Sequence, residues 1–564
     1  MFSDKTNINI LTALLLKHKI TTAVVCPGSR NAPIVHNLHE AGVACHPVTD
    51  ERSAGFYALG MSVAKGHEPV AVCVTSGTAI LNLAPAVAEA YHQQCPLLII
   101  SADRPAERIG QLDAQTLPQQ NALGCFVGMS VSLPEPTDAV SRAYCNRLVN
   151  EALLSLNSKP HIPIHINVPI TEPLFNFSVE TLPEERMIRC IRSQENSTKS
   201  ICQEVINQLK KAARPMIVVG QMPCSEATDE FISAASQHIT TLYEPLSCSF
   251  GGSVFDDSLA EIGSNTDFMP DFVLYIGGII VSKRLKNFLQ NAPKAETWLI
   301  GNDRKVHDTF LNLTAVIDAP AKLFLAEMAA QITATATFFA KNANANAINY
   351  KALWDKTLQE TAQKTNSFLA DFSAEGAVKL FESMLNSEES NIVHYANSTA
   401  VRLGCRHAKH YIYVNRGVNG IEGSLSTAAG HSLYHKGKTF CVIGDLSFFY
   451  DANALWNTEI SGNLRILLIN NGGGAIFRTL PGLEKSSVRE RYIMAKHNTS
   501  AQGLCQTHSI NYLCATDLDS LKQGIKSLVY TESDRPLLLE IEPSPQPSPQ
   551  GEGVLKIDSS NNTN

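Results

Sequence analysis

No stretch of this 564-residue sequence approaches the roughly 20 consecutive apolar residues that a bilayer-spanning helix needs. Charge is sparse: Asp, Glu, Lys and Arg make up 18% and the formal net charge is −7. There is therefore no broad basic surface for nucleic acid or anionic lipid, and any anion site must be local. No C-x-x-C spacing occurs among the fourteen cysteines. Most of them, such as Cys26, Cys73 and Cys441, sit in apolar, strand-like runs and read as buried reduced thiols of a cytoplasmic protein, not as zinc ligands or disulfides. The amino terminus offers only a short apolar run, Ile10 to Leu16, without a basic leader or small-residue cleavage site. A G-x-x-x-x-G-K-[ST] phosphate loop is missing. Gly417-x-x-Gly420-x-x-Gly423 has neither the G-x-G-x-x-G spacing nor the preceding strand of a dinucleotide site, which weakens the case for ATP or NAD chemistry.

What is present is apolar mass, 44% of residues, in a chain long enough for three or four domains. Residues 1–180 repeat an apolar strand, a turn and an amphipathic helix. Strands are predicted at Thr22–Cys26, Ala44–Val48, Val70–Thr75 and Pro96–Ser101, with helices beginning near Ala32, Glu51 and Thr78. A polar linker, Thr181 to Ser200, leads to a second block, 201–340, with strands at Met216–Val219, Phe272–Ile276 and Thr297–Ile300. The Ala-, Thr- and Asn-rich run Thr333 to Ile348 reads as a helix or crossing linker. A third block, 350–543, has strands at Asn391–Tyr395, Tyr411–Val414, Thr439–Ile443, Leu464–Ile469 and Pro536–Ile541. This alternation predicts an α/β fold of three doubly wound parallel-sheet domains. The Pro-Ser-Pro-Gln repeats open a tail, 544–564, expected to be disordered.

One spacing carries chemistry. The predicted strand Thr439–Ile443 runs into Gly444-Asp445-Leu446-Ser447, and after a helical stretch the strand Leu464–Ile469 runs into Asn470-Asn471-Gly472-Gly473-Gly474. Singly, Gly-Asp and Asn-Asn-Gly are ordinary turns. Together, in a strand-helix-strand frame, they have the spacing of a thiamine diphosphate and metal site. A magnesium-type ion takes about six oxygens; a diphosphate supplies some, leaving the Asp445 carboxylate, the Asn471 amide oxygen, a backbone carbonyl and water. A single carboxylate leaves the ion enough charge to hold an anionic cofactor.

That cofactor is activated by a carboxyl group hydrogen-bonded to its aminopyrimidine, and Glu51, in Val48-Thr49-Asp50-Glu51-Arg52-Ser53-Ala54-Gly55-Phe56, is the candidate. It follows a strand and opens a helix, where Asp50 also looks like an N-cap and an acid in the first turn is favoured on its own account. Glu51 and Asp445 fall in different blocks, so the two ends of the cofactor would be gripped by different domains, of one chain or of two. Arg30, Arg104, Lys283, Arg284, Arg402 and Arg416 all stand just past strands or at helix starts. Carboxyl-edge positions of open α/β sheets line ligand crevices, and arginine there pairs with carboxylates. The set points to a polyanionic substrate.

These residues resemble the 2-succinyl-5-enolpyruvyl-6-hydroxy-3-cyclohexene-1-carboxylate synthase family of menaquinone biosynthesis. The resemblance rests on Cys26-Pro27-Gly28-Ser29-Arg30, Thr49-Asp50-Glu51-Arg52-Ser53-Ala54-Gly55, Thr75-Ser76-Gly77-Thr78-Ala79, Ala102-Asp103-Arg104-Pro105, Asn415-Arg416-Gly417-x-x-Gly420-Ile421-x-Gly423 and Gly444-Asp445-Leu446-Ser447. Leu446 stands where many relatives have glycine and fits this branch. The resemblance implies the thiamine diphosphate enzyme arrangement of pyrimidine-binding, central and diphosphate-binding domains, in a homodimer or homotetramer. It implies a transferase that decarboxylates 2-oxoglutarate and adds the resulting succinic-semialdehyde carbanion to isochorismate. Glu51 would activate the cofactor, with Pro27, Ile421, Gly444, Asp445, Leu446, Ser447 and Asn471 also binding it, Ile421 as an apolar wedge. Asp445, Asn471 and the Gly473 carbonyl would hold Mg2+ or Mn2+. Arg30, Arg104, Gln115, Lys283, Arg284, Ser398, Arg402 and Arg416 would bind substrate, with Ile476 and Phe477 as an apolar wall. Two departures stand out: Ala114 replaces an asparagine that often precedes the glutamine, and the loop from Asn457 to Asn463 is one residue short. Another thiamine diphosphate lyase or synthase, or a non-catalytic protein retaining the fold, is the alternative reading.

Overall fold

In a computed structural model, residues 1–542 are described apart from 190–197, 293, 302, 304, 320, 340–344, 386–389 and 481. The tail expected from 544 lies outside the described residues, as do parts of the two expected linkers. The first sheet contains β1 (Thr22–Val25), β2 (Ala44–Pro47), β3 (Val70–Val74), β4 (Leu97–Asp103), β5 (Met129–Ser132) and β6 (Ile164–Pro169). The second contains β7 (Pro215–Val219), β8 (Thr240–Tyr243), β9 (Phe272–Ile276), β10 (Glu296–Gly301) and β11 (Leu313–Asp318). The third contains β12 (Ile392–Tyr395), β13 (Ile412–Tyr413), β14 (Thr439–Gly444), β15 (Leu464–Ile469), β16 (Asn511–Ala515) and β17 (Leu537–Ile541).

Every pairing between these strands is parallel. The central strands β3, β9 and β15 are buried along their whole length, as expected of a parallel sheet covered by helices on both faces. The first and third sheets share one strand order, β2-β1-β3-β4-β6-β5 and β13-β12-β14-β15-β17-β16. In each, the chain reverses direction across the sheet between the first and third strands of the block, and ligands of open α/β sheets bind at such carboxyl-edge switch points.

One hydrophobic core runs from a face of the first sheet, through Val24, Val72 and Ile99, into the third, through Val442, Leu467 and Leu539. At its centre the helix Glu51–Ala64 lies against the helix Ser424–Ser432. A Cβ at Gly60 would come within 2.1 Å of Thr427 O, and one at Gly430 within 2.3 Å of Tyr57 O, so glycine lets these two backbones touch. The central sheet has a separate core on each face and joins the third through Ile412 N to Pro245 O, 2.9 Å, and Gln221 Nε2 to Val414 O, 3.0 Å. No described helix is long and apolar enough to cross a membrane. The described cysteines are free; most of them, Cys26, Cys73 and Cys441 included, are buried as expected, while Cys125, Cys224 and Cys514, at loop or edge positions, are exposed.

Candidate active site

Strand β14 delivers Asp445 and β15 delivers Asn471 to adjacent positions at the carboxyl edge of the third sheet. Asp445 is buried; its Oδ1 accepts from Leu446 N at 2.7 Å and its Oδ2 from Asn471 N at 3.0 Å and Gly473 N at 2.8 Å. Burial pushes its carboxyl above the ordinary range, against the pull of those amides and of His497, whose Nε2 lies 3.4 Å from Oδ2. Asn471 Oδ1 is buried with no hydrogen-bond partner. The Gly473 carbonyl accepts from Ala475 N at 2.9 Å and keeps a second lone pair. At φ +138° Gly473 is in a conformation that L side chains rarely adopt, and its added Cβ would sit 2.6 Å from Met494 O.

These donors fit a hard divalent ion. An orphaned amide oxygen needs a cation or a donor, and one carboxylate with amide and carbonyl oxygens is an oxygen-only set of the magnesium type. Among the described residues no group of three or more His, Cys, Asp or Glu side chains could hold a metal, so a site here depends on the amide, a backbone carbonyl and the cofactor itself. A Cβ on Gly444 would meet nothing within 4 Å, which leaves open space beside Asp445.

Glu51 opens its helix as expected, with Asp50 as N-cap accepting from Ser53 N at 3.1 Å. Its Oε2 accepts from Asn82 Nδ2 at 3.3 Å, and its side chain is half-buried. Its neighbours reach the third domain: Asn453 Nδ2 donates to Asp50 Oδ2 at 2.5 Å, and Arg52 Nη2 to Tyr450 O at 2.7 Å. Glu51 is thus carried to the same side of the molecule as the helix Asp445–Tyr450. Pro27 is exposed at the end of β1, and Ile421 remains 42% exposed although its loop is anchored.

The expected cations come together as two groups. In the first, Arg30 Nη2 donates to Glu172 Oε1 at 2.9 Å and Nη1 to Ile170 O at 3.0 Å; Arg104 Nη1 lies 3.9 Å from the same glutamate oxygen. Arg104 Nε also donates to Ala114 O at 2.9 Å, a backbone bond indifferent to the Ala114 side chain. Gln115 is exposed at φ +56° and packs on Gly77. The second group lies between the central and third domains. Arg416 Nη1 donates to Asn397 Oδ1 at 3.1 Å and Nη2 to Ile280 O at 3.4 Å, and the charge of Arg402 acts on it. Arg284 pairs with Asp256, while Lys283 and Arg402 are exposed. Ser398 has φ +72°. Ile476 and Phe477 lie on the short helical turn Ala475–Thr479, with the Phe477 ring 2.7 Å from where a Gly474 Cβ would be. The short loop contacts β2 through Asn457 and Glu459 and enters β15 at the end opposite Asn471.

A family model described as "Thiamine pyrophosphate enzyme, N-terminal TPP binding domain" matches residues 6–123. Over 557 residues the chain is 41% identical to the 2-succinyl-5-enolpyruvyl-6-hydroxy-3-cyclohexene-1-carboxylate synthase of Bacteroides thetaiotaomicron, covering 96% of each. It is 41% identical over 553 residues to that of Phocaeicola vulgatus, again 96% of each, and 35% identical to that of Porphyromonas gingivalis, covering 96% of this chain and 95% of the relative. The chain belongs to the 2-succinyl-5-enolpyruvyl-6-hydroxy-3-cyclohexene-1-carboxylate synthase family. As a member of this synthase family it is a thiamine diphosphate enzyme, and the three parallel-sheet domains are those expected of one.

Sequence reasoning missed four residues that contact the candidate site residues or their neighbours. Glu172 bridges Arg30 and Arg104, Glu244 accepts from Val281 N and Ser282 N beside Lys283, Glu89 accepts from Gly417 N and Val418 N, and His497 approaches Asp445. All four act across long sequence separations on backbone or on other charges. The only signal available was an acid, Glu89 or Glu244, placed in an otherwise apolar run.

Proposed function

We propose that this chain catalyses the thiamine diphosphate-dependent decarboxylation of 2-oxoglutarate and joins the decarboxylated remainder to isochorismate, giving 2-succinyl-5-enolpyruvyl-6-hydroxy-3-cyclohexene-1-carboxylate for menaquinone biosynthesis. It does so in the cytoplasm, with Mg2+ or Mn2+, as a homodimer or homotetramer whose site lies between subunits. The observation that carries this reading is the orphaned Asn471 Oδ1 beside the buried Asp445 carboxylate, at a sheet edge flanked by arginines. The bound cofactor supplies an electron sink for the carbon that loses carbon dioxide.

The protein does the rest. Asp445, Asn471 and the Gly473 carbonyl hold the ion, and the open space at Gly444 admits the diphosphate. Glu51 would hold the aminopyrimidine ring by a hydrogen bond that keeps a proton on its ring nitrogen, and Ile421 would offer the cofactor an apolar contact. The cations pair with substrate carboxylates through charge-assisted hydrogen bonds; several are needed because the acceptor brings two carboxylates and the donor keeps one. Glu172 holds Arg30 and Arg104 in place until a substrate carboxylate competes for them. The departing carboxylate is left without a cation, because tight binding would oppose its loss.

Purified protein incubated with the cofactor, Mg2+, 2-oxoglutarate and isochorismate is expected to form product with the mass of the addition compound. Turnover of a different 2-oxo acid with no product from this pair would replace the reading with another lyase, and Glu51→Gln is expected to lose turnover while retaining the cofactor. A Glu51→Gln protein with full function would instead indicate a non-catalytic role.

A further inference from the structure

We infer that Glu89, from the first domain, is a positioning residue for Arg416 and thereby for recognition of a substrate carboxylate. The inference deepens the function proposed above and rests on Arg416 serving that substrate site.

Arg416 follows β13, a strand of two residues, and no helix begins until Ser424. The segment between carries positive φ at Asn419 and Gly423. No regular element therefore fixes the arginine locally, and its position must come from outside the segment. Glu89 provides this from the helix Ala84–His92, where it is 3% exposed. Its Oε1 accepts from Gly417 N and its Oε2 from Val418 N, both at 2.7 Å. Two consecutive backbone N–H groups converging on one carboxylate form a small anion-binding concavity, and charge-assisted bonds of this length are strong ones. A Cβ at Gly417 would lie 2.8 Å from Glu89 O and 2.9 Å from His92 Cβ, so the glycine after Arg416 is what allows the loop to seat on the helix. Gln93 Nε2 donates to Glu89 Oε1 at 2.6 Å and fixes the carboxylate's rotamer from one turn away.

The other side of the loop is held by the remaining two domains. Asn397 Nδ2 donates to Asn415 O at 2.7 Å and Gly420 O at 2.8 Å while its Oδ1 accepts from Arg416. From the central domain, Gln221 binds Val414 O and Ile280 O receives the guanidinium. Arg416 thus stands where three domains meet, with further guanidinium N–H groups left for a ligand. A change in the first domain that releases Gly417 and Val418 would displace the arginine without touching the cofactor end at Asp445 and Asn471.

Glu89→Gln tests this, because a carboxamide offers an acceptor to only one amide and sets an NH2 against the other. In Glu89→Gln holoenzyme the KM of one of the two substrates is expected to rise about tenfold with kcat changed far less, and the same substitution in an Arg416→Ala background is expected to have little further effect. Glu89→Asp, which keeps the charge but withdraws it by one methylene, is expected to give a smaller rise for the same substrate and guards against misfolding of the first variant. Backbone hydrogen exchange over residues 414–423 in the holoenzyme is expected to quicken about tenfold in Glu89→Gln. A fall in kcat with both KM values unchanged, or equal effects with and without Arg416, would overturn the inference. So would unchanged exchange, whichever substrates the wild type accepts. If the wild type turns over neither substrate, the proposed function fails and the exchange measurement still decides whether Glu89 positions the loop.

Discussion

A buried amide oxygen without a donor costs the folded chain about 1–3 kcal/mol, and Asn471 Oδ1 is such an oxygen. Asn471→Ala is therefore expected to leave the cofactor-free protein as stable as the wild type or slightly more stable, while abolishing the stabilisation that metal and thiamine diphosphate give, about 2.7 kcal/mol at a hundredfold excess over Kd. Melting curves with and without metal and cofactor check this; equal stabilisation of both proteins would remove Asn471 from the ligand set. Glu244 poses a different problem. Burial pushes its carboxyl from 4.5 up to about 7, against the pull of the Val281 and Ser282 amides and of Arg416. A carboxyl with a raised value binds its proton more tightly when folded, so its contribution to stability is complete below pH 4.5 and is lost as pH rises through about 7. That interval corresponds to roughly 3 kcal/mol as a ceiling. Glu244→Gln, which cannot ionise, is expected to lose stability less steeply between these pH values in urea unfolding at stepped pH; identical slopes would show that Glu244 does not titrate there. Other buried groups shift the same profile, Asp451 with the same sign and His165 with the opposite one, and the difference between variant and wild type removes them. Asn471 was legible because its partner Asp445 sits at a fixed offset in one strand-helix-strand unit. Glu244 was not, since its partners lie on a loop after a different strand.

Among the elements, legibility was best in the middle of each sheet. The predicted strands that form the middle of each sheet agree with the structure to within a residue or two, because a strand covered on both faces must be a continuous apolar run. Four strands that escaped prediction, β5, β8, β11 and β16, are sheet edges; β11 alternates between half-buried and exposed, and β16 is buried only at Ala515. The fifth, β6, is interior but contains His165 and Asn167, whose polarity hides it. There His165 bonds to Ser101 and Ser130, and Asn167 to Asp103 and Gln119, so the polar groups are satisfied inside the sheet. Unreadable too was the contact of the helices Glu51–Ala64 and Ser424–Ser432, since a glycine within a helix has no local signature of a close crossing. That contact predicts a sharp response: Gly60→Ala or Gly430→Ala places a methyl group against backbone of the facing helix, and overpacking of this kind costs typically 1–3 kcal/mol, occasionally more. Gly503, also helical, would meet nothing within 4 Å on gaining a Cβ, so Gly503→Ala is the control. Denaturant midpoints are expected to fall for the first two and to hold or rise for the third; a neutral Gly60→Ala would mean that the helices can part without cost.

At the scale of the whole molecule, the first and third domains share one core and one strand order, yet the residues proposed to grip the two ends of the cofactor are divided between them. Asp50 and Arg52 bind residues 453 and 450 of the same chain, which orients Glu51 and does not decide whose Asp445 it serves. Large apolar side chains left uncovered in these two domains, among them Leu81, Val418, Ile421, Tyr450 and Trp456, are of the kind a second subunit covers. If two chains pair about a twofold axis so that the first domain of each meets the third domain of the other, every site takes Glu51 from one and Asp445 from the other. Glu51→Gln and Asp445→Ala proteins, each inactive alone, are then expected to recover about a quarter of wild-type activity when unfolded and refolded together, because half the dimers are mixed and each mixed dimer carries one intact site. A site built within one chain predicts no recovery, since every site would then contain one lesion. The measured fraction therefore separates the two arrangements directly: turnover near a quarter assigns the site to the subunit interface, and turnover at the level of the separate variants assigns it to the single chain.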